Sequence, residues 1–503
     1  MESFPWWSEE HKRLAEEVEL VVDELMAEAE EAWWKREVAL GVFEEIAQKG
    51  YLGAGVPKEY GGLGLGATGA SIIMEALSML PGAFYICGAS MMGGLHQIRE
   101  FGTEEQKKRF LSRIARGELG CIAITEPFVG TDASAIETVA RREGDKYIIN
   151  GKKRFITGLA TGNRYMLYAK TSNDPGLVAE YRHLTGFIVE KGMAGFHVEK
   201  VNEVMGYDNT PNGYLDLDEV PVPVENRIGE EGEGWKVMTS GLNFERTIVA
   251  ASLLGAFRSA IRTVVGYSRR RIQFGKPTID LLNNQFKIAD LITNLKLARL
   301  STYYAAYLFD ADLDPSVESS VCKIFNTDIS IQAMTDAIQV MGGDGVTKFY
   351  PLERFLREAK TNQIAGGTSE AIKLVIYRMG LKQMESELQW PYRTVHPELG
   401  VPVTGKPVKQ RHVDEEKLLK TLADDYRVNP GLYMSREDMK GLCDCDDETL
   451  DQLLSALEQK ELVKLYRKKG RIQLAKATYT GLKKANPPEY YRWYPEWVRK
   501  HIF

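Results

Sequence analysis

The sequence has 503 residues, of which 44% are hydrophobic and 27% charged, a balance typical of globular proteins rather than disordered or fibrous ones. Its formal net charge of −6 gives no sign of a protein that binds polyanions over its whole surface, and its length predicts three or four domains. Five scattered cysteines do not indicate a disulfide framework, and the acidic, aromatic start is unlike a signal peptide. We therefore expect a cytoplasmic protein, with no metal site and no membrane span.

Residues 1–119 have the apolar periodicity of helices. Leu14 and Val18 begin a helical repeat that predicts one long helix over 8–49, and further helices are predicted over 69–80 and 84–101. The segment Thr103-Glu-Glu-Gln106 has the capping-box pattern and predicts the start of another helix. We expect an N-terminal helical domain.

The pattern changes at residue 120. Short β-rich runs punctuated by Gly, Asn, Asp and Pro fill residues 120–234 and predict a middle antiparallel β-barrel domain, with a sandwich as the alternative. Long helical patterns with short connections resume over 235–387 and predict a C-terminal four-helix bundle. The fold class is therefore α+β and multidomain.

The last part of the chain has a different organisation. Residues 388–413 are rich in proline and lack helical periodicity, which predicts a linker. Residues 414–503 contain three predicted helices and a two-stranded ribbon with the basic turn Lys468-Lys469-Gly470, a pattern that resembles a winged helix. The basic turn is suited to nucleic-acid phosphates, to a partner protein or to a neighbouring subunit. Acidic residues in the predicted recognition helix favour a protein contact over nucleic acid.

Two distant segments carry the candidate chemistry. The segment Leu242-Asn243-Phe244-Glu245-Arg246-Thr247 places a carboxylate beside a cation where a helix enters an apolar run. The segment Ile364-Ala365-Gly366-Gly367-Thr368-Ser369-Glu370 has the composition of a loop. From these residues alone, Glu245 is either a partly buried base with a raised pKa or half of a weak surface pair. Gly366 is either part of a functional loop or a flexible turn.

Both segments resemble stretches of the acyl-CoA dehydrogenases, as does the helical, β, helical order over roughly residues 8–385. Most members of that family carry the catalytic Glu at the position of Gly366, whereas isovaleryl- and long-chain-type members carry it at the position of Glu245. The resemblance therefore implies an active enzyme whose base is Glu245. It also implies that the backbone N–H of Gly366 hydrogen-bonds the thioester carbonyl and that Arg246 helps hold the CoA end of the substrate.

The resemblance further implies FAD as the cofactor and indicates which residues surround it. Those near the flavin or the phosphates are Ile124, Thr125, Thr131, Phe155, Thr157, Thr368 and Glu370, and Thr131 is also near CoA. Those that reach the FAD of a neighbouring subunit are Arg271, Phe274, Gln339, Gly342 and Gly343. A fixed cation suits a pyrophosphate, and glycines let the backbone approach it closely. Sites shared in this way imply a homo-oligomer, either a dimer or a tetramer.

The implied reaction is FAD-dependent α,β-dehydrogenation of an acyl-CoA, in which Glu245 abstracts the α-proton and flavin N5 accepts the β-hydride. Gly366 and the small or flexible residues from Ala89 to Gly93 predict a roomy pocket for a branched or alicyclic acyl group. Phe84 stands where glutaryl-type members carry an Arg, which disfavours a dicarboxyl substrate. The expected electron acceptor is an electron-transfer flavoprotein. The alternatives are an acyl-CoA oxidase and a related flavoprotein that binds nucleic acid through the C-terminal extension.

Overall fold

The computed structural model describes residues 1, 3–82, 88, 91–387, 393–396, 401–404, 412–428 and 431–486. The chain divides into two compact units, Met1–Gln383 and Met384–Phe503. The predicted pocket residues Phe84, Ala89 and Ser90 lie outside the described residues.

The N-terminal region of the first unit is helical. Its helices are α1 (Glu9–Lys35), α2 (Leu40–Gln48), α3 (Gly66–Leu77), α4 (Leu95–Phe101), α5 (Glu104–Gln106) and α6 (Ser112–Ala115), with a π-helical turn at Lys107–Leu111. The single helix predicted over 8–49 is in fact two, because Arg36 has a φ of 58° and its N–H caps the last turn of α1. Thr103 forms the predicted capping box with Gln106.

The middle region is a mixed β-sheet, which corrects the prediction of an antiparallel barrel. Its strands are β1 (Gly120–Ala123), β2 (Val139–Glu143), β3 (Lys146–Thr157), β4 (Arg164–Lys170), β5 (Leu184–Glu190), β6 (Phe196–Val201), β7 (Asn212–Pro223) and β8 (Arg227–Ile228), with the short helix α7 (Pro175–Ala179). Their order is β6-β7-β3-β2-β4-β5-β8, and β1 is added beside β4. Both β1 and β2 run parallel to β4, because the chain crosses over between β1 and β2 before it reverses twice. Among the described strands, β6 and β8 do not pair to close the sheet.

Helices resume after the sheet. They are α8 (Gly234–Arg270), α9 (Leu282–Asp310), α10 (Ser316–Met341), α11 (Leu352–Ile364), α12 (Ser369–Val375) and α13 (Leu381–Gln383), with the hairpin β9 (Ile272–Gln273) and β10 (Lys276–Pro277) after α8. Every residue of α8 from Phe244 to Phe257 is buried. Within the described part of the chain, α8 is the one helix long and apolar enough to cross a membrane, and its most apolar window is mostly buried inside the protein, as in a core helix. This buried run carries Glu245 and Arg246 into the interior.

The second unit combines helices with two small sheets. Its elements are β11 (Arg393–His396), β12 (Val401–Thr404), α14 (Glu415–Val428), β13 (Met434–Ser435), α15 (Arg436–Leu442), α16 (Asp447–Gln459), β14 (Val463–Lys468), β15 (Arg471–Ala477) and α17 (Tyr479–Ala485). One sheet has the antiparallel order β13-β15-β14, and Ser435 caps α15 as predicted. The strand β13 and the helix α17 were not predicted. The predicted linker contains the hairpin β11–β12, and of its other residues only 412 and 413 are described.

Candidate functional site

Glu245 lies inside the buried run of α8. The residue is only 7% exposed. Burial raises the pKa of its carboxyl to about 7, although the Arg246 and Lys323 cations oppose the shift. Its Oε2 atom is buried and has no hydrogen-bond partner among the described residues. A buried carboxylate with a free acceptor oxygen is able to take a proton near neutral pH.

Gly366 stands beside this carboxylate, in the loop between α11 and α12. A Cβ atom at Gly366 would lie 3.3 Å from Oε1 of Glu245, which is tighter than ordinary van der Waals contact. Gly366 and Gly367 have φ angles of +68° and +97°, which residues with a Cβ rarely adopt. The structure thus brings together the two residues that the sequence motifs connect. A side chain at position 366 would therefore crowd Glu245 and strain the backbone of the loop.

Arg246 follows Glu245 in the chain, and its guanidinium is fixed by other residues. Its Nη1 donates to Asn243 Oδ1 at 3.0 Å and to Ser320 Oγ at 3.3 Å, while its buried Nε has no partner among the described residues. Arg246 lines a cleft of about 830 Å³ together with Arg378 and residues of α4, α8 and the α9–α10 connection. A fixed cation in a cleft with a free donor suits a polar or anionic ligand.

Lys323 is a site residue that the sequence analysis missed. It lies on α10, is fully buried, and donates from Nζ to the carbonyl of Gly367 at 2.8 Å and to that of Gln363 at 3.2 Å. Burial lowers the pKa of Lys323 to about 8, and the nearby Arg246 cation acts in the same direction. The feature of the sequence that could have identified this residue is a single Lys within the mainly small or apolar run Ser319–Phe325 of α10.

The predicted flavin contacts of the middle region lie on two adjacent segments. Ile124–Thr125 follows β1, and Phe155–Thr157 ends β3. The backbone N–H of Arg154 donates to the Thr125 carbonyl at 2.7 Å, and Lys153 Nζ donates to the Ile124 carbonyl at 3.3 Å. The structure therefore places these predicted residues side by side.

A buried ion pair holds the two segments together. Lys153 Nζ lies 2.8 Å from Glu126 Oε1, and both side chains are buried. Burial lowers the pKa of Lys153 to about 8, and Glu126 opposes that shift. Burial alone would raise the pKa of Glu126, but Lys153 and the hydrogen bonds from Thr138 and Glu137 hold it below its usual value. This pair was not predicted from the sequence.

Phe155 provides the test of whether this surface fits the implied cofactor. Its ring is 48% exposed, and its backbone has a φ of 58°, a strained conformation for a residue with a Cβ. The Arg154 guanidinium lies 4.2 Å from the ring centroid, and its buried Nε has no partner among the described residues. An exposed aromatic face beside a cation with a free donor fits a flat, polar ring system such as a flavin.

The predicted nucleotide contacts lie at the far end of α8. Arg271 and Phe274 follow this helix, and Tyr267 near its end donates from its hydroxyl to Asp344 Oδ2 at 2.5 Å, which joins the helix end to the Gly342–Val346 turn. Gln339, Gly342 and Gly343 are exposed there, and Phe274 is 90% exposed. Glu245 and Arg270 are 25 residues apart on α8 (270 − 245), so this set lies about 37 Å along the helix from the carboxylate.

The remaining predicted residues have simpler placements. Thr131 is exposed in the loop between β1 and β2. The Thr368 side chain accepts from the N–H of Ala371 and caps α12, directly after the Gly366–Gly367 loop. Glu370 is exposed in the first turn of that helix.

Comparison with known proteins identifies the family. The profile of the acyl-CoA dehydrogenase N-terminal domain matches residues 8–118, that of the middle domain 121–220, and that of the C-terminal domain 232–381. An acyl-CoA dehydrogenase of Bacillus subtilis is 36% identical over 338 residues, 67% of this chain and 88% of that protein. A cyclohex-1-ene-1-carbonyl-CoA dehydrogenase of Syntrophus aciditrophicus is 33% identical over 375 residues, 74% of this chain and 90% of that protein. The solved butyryl-CoA dehydrogenase of Megasphaera elsdenii superposes with a TM-score of 0.72 and 31% identity, covering 76% of this chain and 100% of that one.

The matched regions have the helical, β, helical order of the first unit, and the last profile ends at residue 381. The second unit therefore lies beyond the domains that the family shares. The predicted flavoprotein class, FAD cofactor and oxidoreductase activity are confirmed at the level of the family. This chain belongs to the acyl-CoA dehydrogenase family.

Proposed function

We propose that this protein catalyses the α,β-dehydrogenation of an acyl-CoA thioester with Glu245 as the base. The observation that carries the proposal is the buried Glu245 carboxylate, with a free acceptor oxygen, beside Gly366. The Cα of a thioester is a poor acid, so its deprotonation needs a carboxylate next to Cα and donors at the carbonyl oxygen. A carboxyl whose pKa is about 7 is substantially ionised at neutral pH. Glu245 therefore has the basicity that this step requires.

Besides the base, the reaction needs a donor for the thioester carbonyl and a group that holds the CoA part of the substrate, and we assign these roles to Gly366 and Arg246. The backbone N–H of Gly366 donates to the thioester carbonyl, and a backbone donor does not depend on a side chain at that position. Arg246, held by Asn243 and Ser320, orients the CoA part of the substrate in the cleft. When bound, FAD supplies the acceptor for the hydride that leaves Cβ. We assign its binding to the Ile124–Thr125 and Phe155–Thr157 segments, with Thr131, Thr368 and Glu370 near it.

We propose a branched or alicyclic acyl group as the substrate. With glycine at position 366, no side chain occupies the space beside Glu245 on the loop side. That space accommodates substituents near Cα and Cβ. The name of the Syntrophus relative, which specifies a cyclohexene carboxylate, supports the alicyclic class.

An anaerobic reduction screen tests this proposal. The FAD-loaded full-length protein is mixed with straight, branched and alicyclic acyl-CoA thioesters, and loss of the flavin absorbance is followed over time. We expect rapid bleaching by at least one thioester and the fastest bleaching within the branched and alicyclic sets. No bleaching by any thioester would contradict the proposed activity, whereas fastest bleaching by a straight chain would contradict only the substrate class.

We propose an electron-transfer flavoprotein as the electron acceptor. The same reduced protein separates this hypothesis from the oxidase alternative. Reoxidation is expected to be slow in air and fast with an electron-transfer flavoprotein. Fast reoxidation in air would favour the oxidase.

We propose that the protein is a dimer or a tetramer in which a second copy completes each FAD site. In one chain, about 37 Å of helix separates Glu245 from Arg270, which directly precedes Arg271, and this distance is too long for one dinucleotide to contact both ends. Phe274, Val346 and Phe349 at that end of the bundle are 90%, 70% and 86% exposed. Exposed apolar residues grouped in this way are typical of a surface covered by another chain.

We propose that residues 414–503 form a winged-helix-like module that contacts protein rather than nucleic acid. We also propose that the other domains are residues 1–119, 120–234 and 235–387, and that residues 388–413 are the linker to the module. The helix α16 holds the recognition-helix position, and its Asp447 and Asp451 pair with Arg436. Glu458 of the same helix pairs with Arg467 of the basic ribbon. These carboxylates repel a phosphate backbone and neutralise part of the basic charge.

Light scattering on the full-length protein tests the oligomer and the module together. The expected molar mass is that of a dimer or tetramer, and added duplex DNA is expected to leave it unchanged at low and physiological salt. A monomeric mass would contradict the shared FAD site. A DNA complex that weakens as salt rises would contradict the protein-contact hypothesis.

A further inference from the structure

A single buried ammonium group holds the loop that places Gly366 beside Glu245. Lys323 Nζ donates to the carbonyl of Gln363, in the last turn of α11, and to that of Gly367 in the loop. These two acceptors bracket Gly366, which has a φ of +68°. The orientation of the Gly366 N–H depends on what anchors the backbone on either side of it. Lys323 anchors the Gln363 and Gly367 carbonyls, and the Ala365 N–H donates to the Thr361 carbonyl at 3.0 Å.

Burial of Lys323 calls for an explanation. The side chain is fully buried, and among the described residues no carboxylate lies within 4 Å of its Nζ. A buried charge without an ion pair is destabilising. A neutral side chain of similar length would fill the same space without that penalty. The charge itself is therefore the feature that requires a role.

Glu245 is a charged neighbour that would gain from this cation. Lys323 and Arg246 are the two cations that lower its pKa against the effect of burial. The charged groups that face Lys323 are Glu245, Arg246, Asp328 and Glu370. The Tyr168 hydroxyl of β4 also lies near enough to sense the charge of Glu245.

We propose that Lys323 is a positioning residue that fixes the Gly366 N–H and places a positive charge beside Glu245. This inference rests on the proposed role of Glu245 as the base. One ammonium group thus serves both halves of the site: it orders the donor for the thioester carbonyl and favours the ionised form of the base. A purely structural cation at the end of α11 would do only the first.

Two variants at position 323 separate these effects. Lys323→Met removes the charge and the hydrogen bonds, and it is expected to lower kcat about 10²-fold with little change in KM, because a displaced donor weakens mainly the transition state. It is also expected to move the acidic limb of the pH profile of kcat upward by about one unit, because a lost cation disfavours the ionised carboxylate. Lys323→Gln keeps a donor without the charge, so it should move the pH limb as Lys323→Met does but lower kcat less.

Hydrogen exchange provides a readout that does not depend on turnover. The amides of residues 364–368 should exchange faster in Lys323→Met than in the unaltered protein, with Lys323→Gln in between. Lys373→Met is the matched control, because Lys373 is exposed on α12 just after the loop and should change neither the exchange nor the pH limb.

The outcomes distinguish this inference from the proposed function. If Lys323→Met does not fold, Lys323→Gln alone carries the test. The inference is overturned if the Lys323→Gln variant folds and keeps both the kcat and the acidic limb of the pH profile of the unaltered protein. Glu245→Gln is measured alongside: if it retains full activity, the base assignment fails, whereas if it is inactive and the position-323 variants are normal, only the inference about Lys323 fails.

Discussion

Replacement of Glu245 by Gln is expected to lower kcat for the best thioester by about 10³–10⁴-fold, within the range that a positioned base contributes. Gln preserves the size of the side chain but cannot accept the α-proton. The measurement is the rate of anaerobic flavin bleaching, with FAD content and thioester affinity recorded to show that binding survives. Activity within tenfold of the unaltered protein would remove Glu245 from the mechanism.

The pH profile of the unaltered protein adds a second expectation for the same residue. Burial raises the pKa of Glu245 to about 7, so the carboxyl is protonated below that pH and ionised above it. A base must be ionised, so kcat/KM, which reports the free protein, should rise with pH through about 7 and level off above it. Glu358→Gln is the control, because burial also raises the pKa of Glu358 to about 7 but this residue lies on α11 beside Arg354. The Glu358→Gln variant should leave the pH at which activity rises unchanged. If that pH changes in the variant, the titration belongs to Glu358 and not to Glu245.

Introduction of Glu at position 366 is expected to inactivate the protein rather than add a second base. Gly366→Glu should lower kcat at least about 10²-fold, because two carboxylates in contact cannot both ionise and the base loses its position. The new Cβ would stand 3.3 Å from Glu245 Oε1, and the φ of +68° adds strain of roughly 1–2 kcal/mol. The measurement is again single-turnover flavin bleaching with the best thioester.

Two further variants separate charge from size. Gly366→Gln has the bulk of Glu without its charge, so the difference between Gln and Glu at position 366 measures the repulsion. The double variant Glu245→Gly with Gly366→Glu moves the base to the other segment and should recover activity at least about tenfold over Glu245→Gln. A Gly366→Glu single variant as active as the unaltered protein would contradict the expected repulsion between carboxylates at positions 245 and 366.

The sequence was sufficient to connect Glu245 with Gly366, because both stand in short motifs with a known order of residue types. It did not indicate Lys323, because the partners of this ammonium are backbone carbonyls, which have no sequence signature. The Lys153–Glu126 pair was missed for a related reason: Lys153 lies on β3 and Glu126 in the loop after β1, and only the tertiary fold brings them together.

The helices and strands of the fold were also largely predictable from the sequence, whereas their arrangement was not. Helical periodicity and the capping box at Thr103 located the helices, and β-rich runs located the strands. The direction of β1 relative to β4 was not predictable, because pairing between distant strands depends on the crossover and not on the local pattern. The break at Arg36 was missed because a left-handed residue at a helix end is usually Gly or Asn, so Arg gives no warning.

The length of α8 predicts how a dimer of two differently defective chains behaves. If Glu245 acts in its own chain and Arg271 serves the cofactor of the other, one helix contributes its two ends to two different sites. A chain defective at Glu245 and a chain defective at Arg271 would then complement each other, because their mixed dimer contains one intact site and one doubly defective site. Two copies that are each inactive alone would regain up to half the turnover of a normal pair.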